Sequence, residues 1–115
     1  MEEVIGNITQ DEVLEVIGRF PIDPLHNRIV ISVNVDESDD LDLEGSEFGE
    51  IQYVIAKGDR VSDSISLGCK VILDLGKMSK ETESGVYEIN IKPIKVGERV
   101  YGIIYDNAVI CVDNR

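Results

Sequence analysis

Phe20-Pro21-Ile22-Asp23-Pro24-Leu25-His26-Asn27-Arg28-Ile29-Val30-Ile31-Ser32-Val33 is the stretch on which the reading of this chain turns. Two prolines fix backbone angles immediately before a run of β-branched apolar residues, so the segment predicts a rigid entry into a strand over about residues 27–35. Ile29, Ile31 and Val33 alternate with Arg28, Val30, Ser32 and Asn34, the period of a strand with one buried face. His26, the chain's one histidine, stands at the entrance. Alone it makes no multi-histidine metal site, and it reads as a packing and hydrogen-bonding residue.

Upstream, residues 1–19 form a preface. Thr9 or Asp11 can cap a short helix, Val13, Leu14, Val16 and Ile17 give it an apolar side, and Gly18 stops it. Downstream, Gly49–Val61 reads as a strand running into a turn at Gly58, and Ile65–Leu73 as a turn at Gly68, where a positive backbone angle is expected, followed by a strand. Tyr87, Ile89 and Ile91 alternate with polar residues until Pro93 ends the strand or places it at an edge. Val96-Gly97-Glu98-Arg99 is a turn, and Arg99–Asp113 holds two further strands around Asp106-Asn107.

The 115 residues are enough for one domain with a modest core, and many Ile and Val with two Phe and no Trp suit a small all-β domain. The formal charge is -12, from 23 acids against 11 bases, so the overall field disfavours a nucleic-acid partner. Asp36, Glu37, Asp39, Asp40, Asp42, Glu44, Glu47 and Glu50 lie in a stretch with no basic residue between Arg28 and Lys57, predicting a self-repelling exposed loop. Its Asp-x-Asp spacing lacks the turn glycine and flanking helices of a calcium loop, so no metal is expected there.

Cys69 and Cys111 each lie in an apolar context and read as buried, reduced thiols. The acidic amino terminus lacks the apolar run of a secretory signal and no segment reaches membrane-span length, so a cytoplasmic, membrane-free protein is expected. Neither a nucleophile with an orienting base nor a phosphate-loop pattern is present, and an enzyme or a cofactor is not expected.

Ile22, Pro24, Leu25, His26 and Arg28 follow the order and spacing that open the first strand of GroES-type co-chaperonins, and Gly49–Val61, Ile65–Leu73 and Arg99–Asp113 resemble that family's later segments in order. The resemblance implies an all-β fold, a small GroES-like antiparallel β-barrel over residues 20–115 with a short N-terminal helical extension over 1–19. It also implies a homo-oligomer, a seven-membered ring in which the terminal strand of one subunit pairs with the first strand of its neighbour. Ile22, Pro24, Leu25, Arg28, Ile29 and Ile31 on one side, and Val109, Ile110 and Val112 on the other, would form that interface. Leu41-Asp42-Leu43 would be the loop triplet that docks on a large chaperonin, making the ring a cap that assists protein folding. The alternative is a non-catalytic structural protein of a viral particle or other large assembly, with shell or capsid subunits as partners and the virion as its location.

Overall fold

The computed structural model describes residues 7–36, 47–81, 83, 85, 87–89 and 91–113. Leu41, Asp42 and Leu43 lie outside them. In chain order the elements are α1 (Gln10–Val16), β1 (Arg28–Ser32), β2 (Val35–Asp36), β3 (Glu47–Phe48), β4 (Ile51–Lys57), β5 (Lys70–Leu73), α2 (Leu75–Met78), β6 (Ser79–Glu81), β7 (Tyr87–Ile89), β8 (Lys92–Val96), β9 (Arg99–Tyr105) and β10 (Val109–Asp113), the last two joined by a 3-10 turn over Asp106–Ala108. Six strands form one antiparallel sheet in the order β10-β5-β4-β1-β9-β8, with β2-β3 and β6-β7 as separate two-stranded ribbons.

The barrel expectation is therefore corrected. Among the described residues no ladder joins β8 to β10, so the sheet is open with two edges, and with α1 and α2 beside it the fold is mixed α/β. The GroES-type resemblance falls with it. Alternating apolar residues specify that strands form and which faces they bury, but closure depends on the pairing of the outermost strands, which short local motifs do not encode. The motif at Pro24–Arg28 does a local task instead. His26 adopts a left-handed φ of 57°. That conformation costs a non-glycine residue about 1–2 kcal/mol. It is held from both sides, because the His26 N–H donates to Asp59 Oδ1 at 3.0 Å and the Arg60 N–H donates to the His26 carbonyl at 2.8 Å. The turn lies so close on Gly58 that a Cβ there would collide with the His26 carbonyl oxygen, which accounts for the glycine.

β1 is central, with β4 on one side and β9 on the other. Both its faces are buried, a departure from the one-sided alternation expected. Ile29 and Ile31 pack with Val54, Val71, Leu73, Met78 and Ile104, whereas Val30 packs on the opposite face with Val13, Ile55 and Tyr101. α1 covers that second face. Thr9 is its N-cap, with its hydroxyl accepting from the Glu12 N–H and the Glu12 carboxylate accepting from the Thr9 N–H. Val13 is buried and Val16 and Ile17 half-buried, but Leu14, expected on the same side, is exposed. Phe20 meets Tyr101 edge-on at 5.0 Å, and Gly68 has the positive φ its turn needs.

β4 changes partner midway. Ile51, Gln52 and Tyr53 pair with β5, while Val54, Ala56 and Lys57 pair with β1. Where β1 and β4 part, side chains replace the ladder. Gln52, fully buried, has both amide atoms satisfied: Oε1 accepts from Ser32 Oγ at 2.7 Å and the Asn34 N–H at 2.8 Å, and Nε2 donates to the carbonyls of Asn34 and Gly49, each at 2.8 Å. Ser32 Oγ in turn accepts from the Tyr53 N–H at 2.9 Å. Asn34 extends the network to Ile8, which leads into α1. The sheet stays open, and β9 and β10, far apart in strand order, are linked by the three residues Asp106–Ala108.

Replacing Gln52 with Leu leaves several buried partners unpaired. Denaturant unfolding of the Gln52→Leu variant is expected to show a loss of roughly 2–4 kcal/mol. A second outcome concerns the helix cap. The backbone N–H of Thr9 holds the Glu12 pKa below the ordinary carboxylate value, so the cap's contribution is present above the unfolded-state pKa and is lost as pH falls through the folded one. Thr9→Ala, which removes the hydroxyl but keeps the backbone N–H, is expected to cost about 1 kcal/mol at neutral pH, whereas unfolding curves of Glu12→Gln, which removes the titrating carboxylate, should lose less stability on acidification than wild type.

Candidate functional site

Of the residues expected at a subunit interface, Ile29 and Ile31 are fully buried in the core, and β1 has no free side for a neighbour's strand. Ile22 and Leu25 are exposed, Pro24 is half-buried, and Arg28 is exposed at the start of β1. Val109 and Val112 are half-buried on β10, and Ile110 is 60% exposed. Two surface features emerge from these positions.

The first lies on the outside of β4, β5 and β10. Ile51 pairs with Ile72, and Ile72 with Cys111, so the three side chains stand in one row across the sheet. Ile51 is exposed, Ile72 half-buried and Cys111 exposed. A register shift between Val109 and Cys111 leaves Ile110 out of the ladder beside this row. Cys111 was expected inside. It is outside because strand alternation turns Val112 inward, whereas Cys69 is half-buried against the core formed by Ile29 and Val54.

The two sheet edges differ in their defences. β8 carries Pro93 between Lys92 and Ile94, and Lys95 beyond, which is how natural edges block pairing. On β10, Val109-Ile110-Cys111-Val112 carries no proline or lysine, and the bulge at Ile110 is its one interruption.

The second feature is a cleft of about 470 Å³ between the start of β1, the end of β9, β8, α2 and the 3-10 turn. Arg28 pairs with Tyr105 across β1 and β9, and Lys92 pairs with Ile103 across β8 and β9, so these four side chains share one face. The Arg28 guanidinium stacks on the Tyr105 ring at 4.7 Å and donates from Nη2 to the Tyr105 hydroxyl at 2.8 Å. Lys77 and Met78 reach the cleft from α2, whose first turn is tied by the Lys77 N–H donating to Asp74 Oδ1 at 3.1 Å. Lys77 Nζ donates to the Asn107 carbonyl at 3.4 Å. The cleft is thus lined by the apolar residues Met78, Ile103, Ile104 and Ala108 and by the cations Arg28, Lys77 and Lys92, with the consecutive Ile103 and Ile104 coming from opposite faces of β9.

Sequence reading did not find the cleft. Its three cations are distant in the chain, and only the β1–β9 and β8–β9 registers and the single turn of α2 bring them together. Among the described residues no group of His, Cys, Asp and Glu suited to a metal ion occurs, and no helix is long and apolar enough to cross a membrane. The thiol positions give a direct check on this surface: a bulky maleimide is expected to label Cys111 rapidly in dilute folded protein and Cys69 far more slowly, as read by mass spectrometry after digestion. No protein-family model matches this chain, and no curated protein matches it.

Proposed function

We propose that this chain is a non-catalytic assembly subunit that associates with further copies of itself through β10 and the outward row beside it. The carrying observation is the in-register row Ile51–Ile72–Cys111, flanked by Ile110, which ends at the sheet edge that lacks proline and lysine. An exposed apolar row next to an open strand edge is the arrangement by which one sheet continues into another or packs on it.

A chain that pairs only its own β10 with β10 of a second copy makes a closed dimer. One that sets β10 on a different surface of the next copy makes a ring or a filament. This reading keeps the assembly role expected from the sequence and leaves aside capping of a chaperonin, whose support was a barrel resemblance that the open sheet removes.

Charge sets the expected conditions. Each copy carries a formal -12, so like-charge repulsion opposes association and screening relieves it. Native mass spectrometry and sedimentation at micromolar protein are expected to show an oligomer that strengthens as salt is raised. Ile110→Lys and Cys111→Lys, both at exposed positions, are expected to yield a folded monomer. A wild-type chain that stays monomeric at all concentrations and salt levels rejects this function.

A further inference from the structure

We propose that the cleft between α2, β8 and the end of β9 binds a small organic anion with an apolar body, its acidic group held by Arg28, Lys77 and Lys92 and its body lying on Met78, Ile103, Ile104 and Ala108. The inference stands on the cleft alone and does not depend on self-assembly.

Charge is the first argument. In a chain with 11 basic residues and 23 acids, three of the bases line one cleft, and none of its described lining residues is acidic. Among the described residues no carboxylate forms an ion pair with Arg28, Lys77 or Lys92, whereas Arg99 does pair with Glu12 at 3.7 Å. Of the described acids beside the cleft, Asp74 Oδ1 accepts from the Lys77 backbone N–H, and Asp106 Oδ1 accepts from Asn27 Nδ2 at 3.5 Å. The Lys92 side chain makes no hydrogen bond among the described residues. Three cations around one concavity, with no counter-charge among the described residues, form a local positive focus that concentrates anions.

Organisation is the second argument. Arg28 is not a loose side chain. Stacking on Tyr105 and the bond from Nη2 to the Tyr105 hydroxyl fix its plane, leaving the rest of the guanidinium fork for a carboxylate or phosphate. Lys77 is steadied by the Asn107 carbonyl. A pre-set cationic wall loses less entropy on binding than three free side chains would.

Shape and lining decide the class of ligand. About 470 Å³ lies within the range of small-molecule sites. The lining residues Met78, Ile104 and Ala108 are buried and apolar, so a bare inorganic anion would leave the apolar lining unused and a neutral hydrocarbon would leave the cations unused. Nucleic acid is disfavoured by the overall -12, against which three cations supply little counterion release.

The test is titration of the full chain followed by amide NMR, with octanoate as the probe, octanol as its neutral counterpart and inorganic phosphate as charge without a body. Saturable octanoate shifts centred on residues 103–108, weakening as salt rises, are expected, with octanol and phosphate at least about ten-fold weaker. Lys77→Gln and Lys92→Gln, each at an exposed position, should weaken octanoate by about three- to ten-fold with the spectrum otherwise unchanged. Lys95→Gln, on β8 but outside the cleft, should leave binding as it was.

Octanol or phosphate binding as tightly as octanoate overturns the proposal, as does indifference to both lysine substitutions. A synthetic acidic leucine peptide that binds the cleft while octanoate does not also overturns it and identifies a protein partner instead. The opposite responses to salt, tighter self-association and weaker anion binding, keep failure here distinct from failure of the assembly reading.

Discussion

Gln52 is the residue on which the shape of this sheet depends. A fully buried primary amide is tolerable only when its oxygen and nitrogen are both satisfied, and here they bond to Ser32, Asn34 and Gly49 at 2.7–2.8 Å. The network sits where β4 leaves β5 and joins β1, so it supplies the hydrogen bonds that the interrupted ladder cannot. Through Asn34 it also ties Ile8 and the start of α1 to the sheet. The passage of β4 from β5 to β1 and the anchoring of α1 share this one junction.

That junction was invisible in the sequence because a glutamine in Ile51-Gln52-Tyr53-Val54 reads as the solvent-facing member of an alternation. Ser32 misleads in the same way. The strands themselves were legible: the β-branched run at Ile29–Val33, the glycine turn at Gly68 and the Thr9 cap of α1 all follow from local chemistry, which short segments carry. The global arrangement was not. Whether β8 and β10 meet depends on contacts among residues far apart in the chain, and the Pro24–Arg28 motif that suggested a closed barrel encodes a turn on Gly58. The cleft was illegible for the same reason, since Arg28, Lys77 and Lys92 acquire a common purpose only after β1, α2 and β8 are in place. On β10 the sequence supplied the exposed residue Ile110 but misplaced Cys111, whose apolar neighbours say nothing of which face it takes.

The surface divides its roles by chemistry. On the outside of β4, β5 and β10 the exposed groups are Ile51, Ile110 and Cys111, suited to dry contact with another copy. Around the cleft, Arg28, Lys77 and Lys92 stand beside apolar lining residues, suited to a charged ligand. Because β10 follows Ala108, which lines the cleft, the two features are joined by the 3-10 turn at Asp106–Ala108.

The most direct measurement is hydrogen exchange at the two sheet edges as protein concentration is raised. If β10 joins copies together, amides over residues 109–113 become protected with concentration while those of β8, over residues 92–96, keep the exchange they show in dilute solution. Equal exchange at both edges, unchanged across the concentration range, contradicts the account.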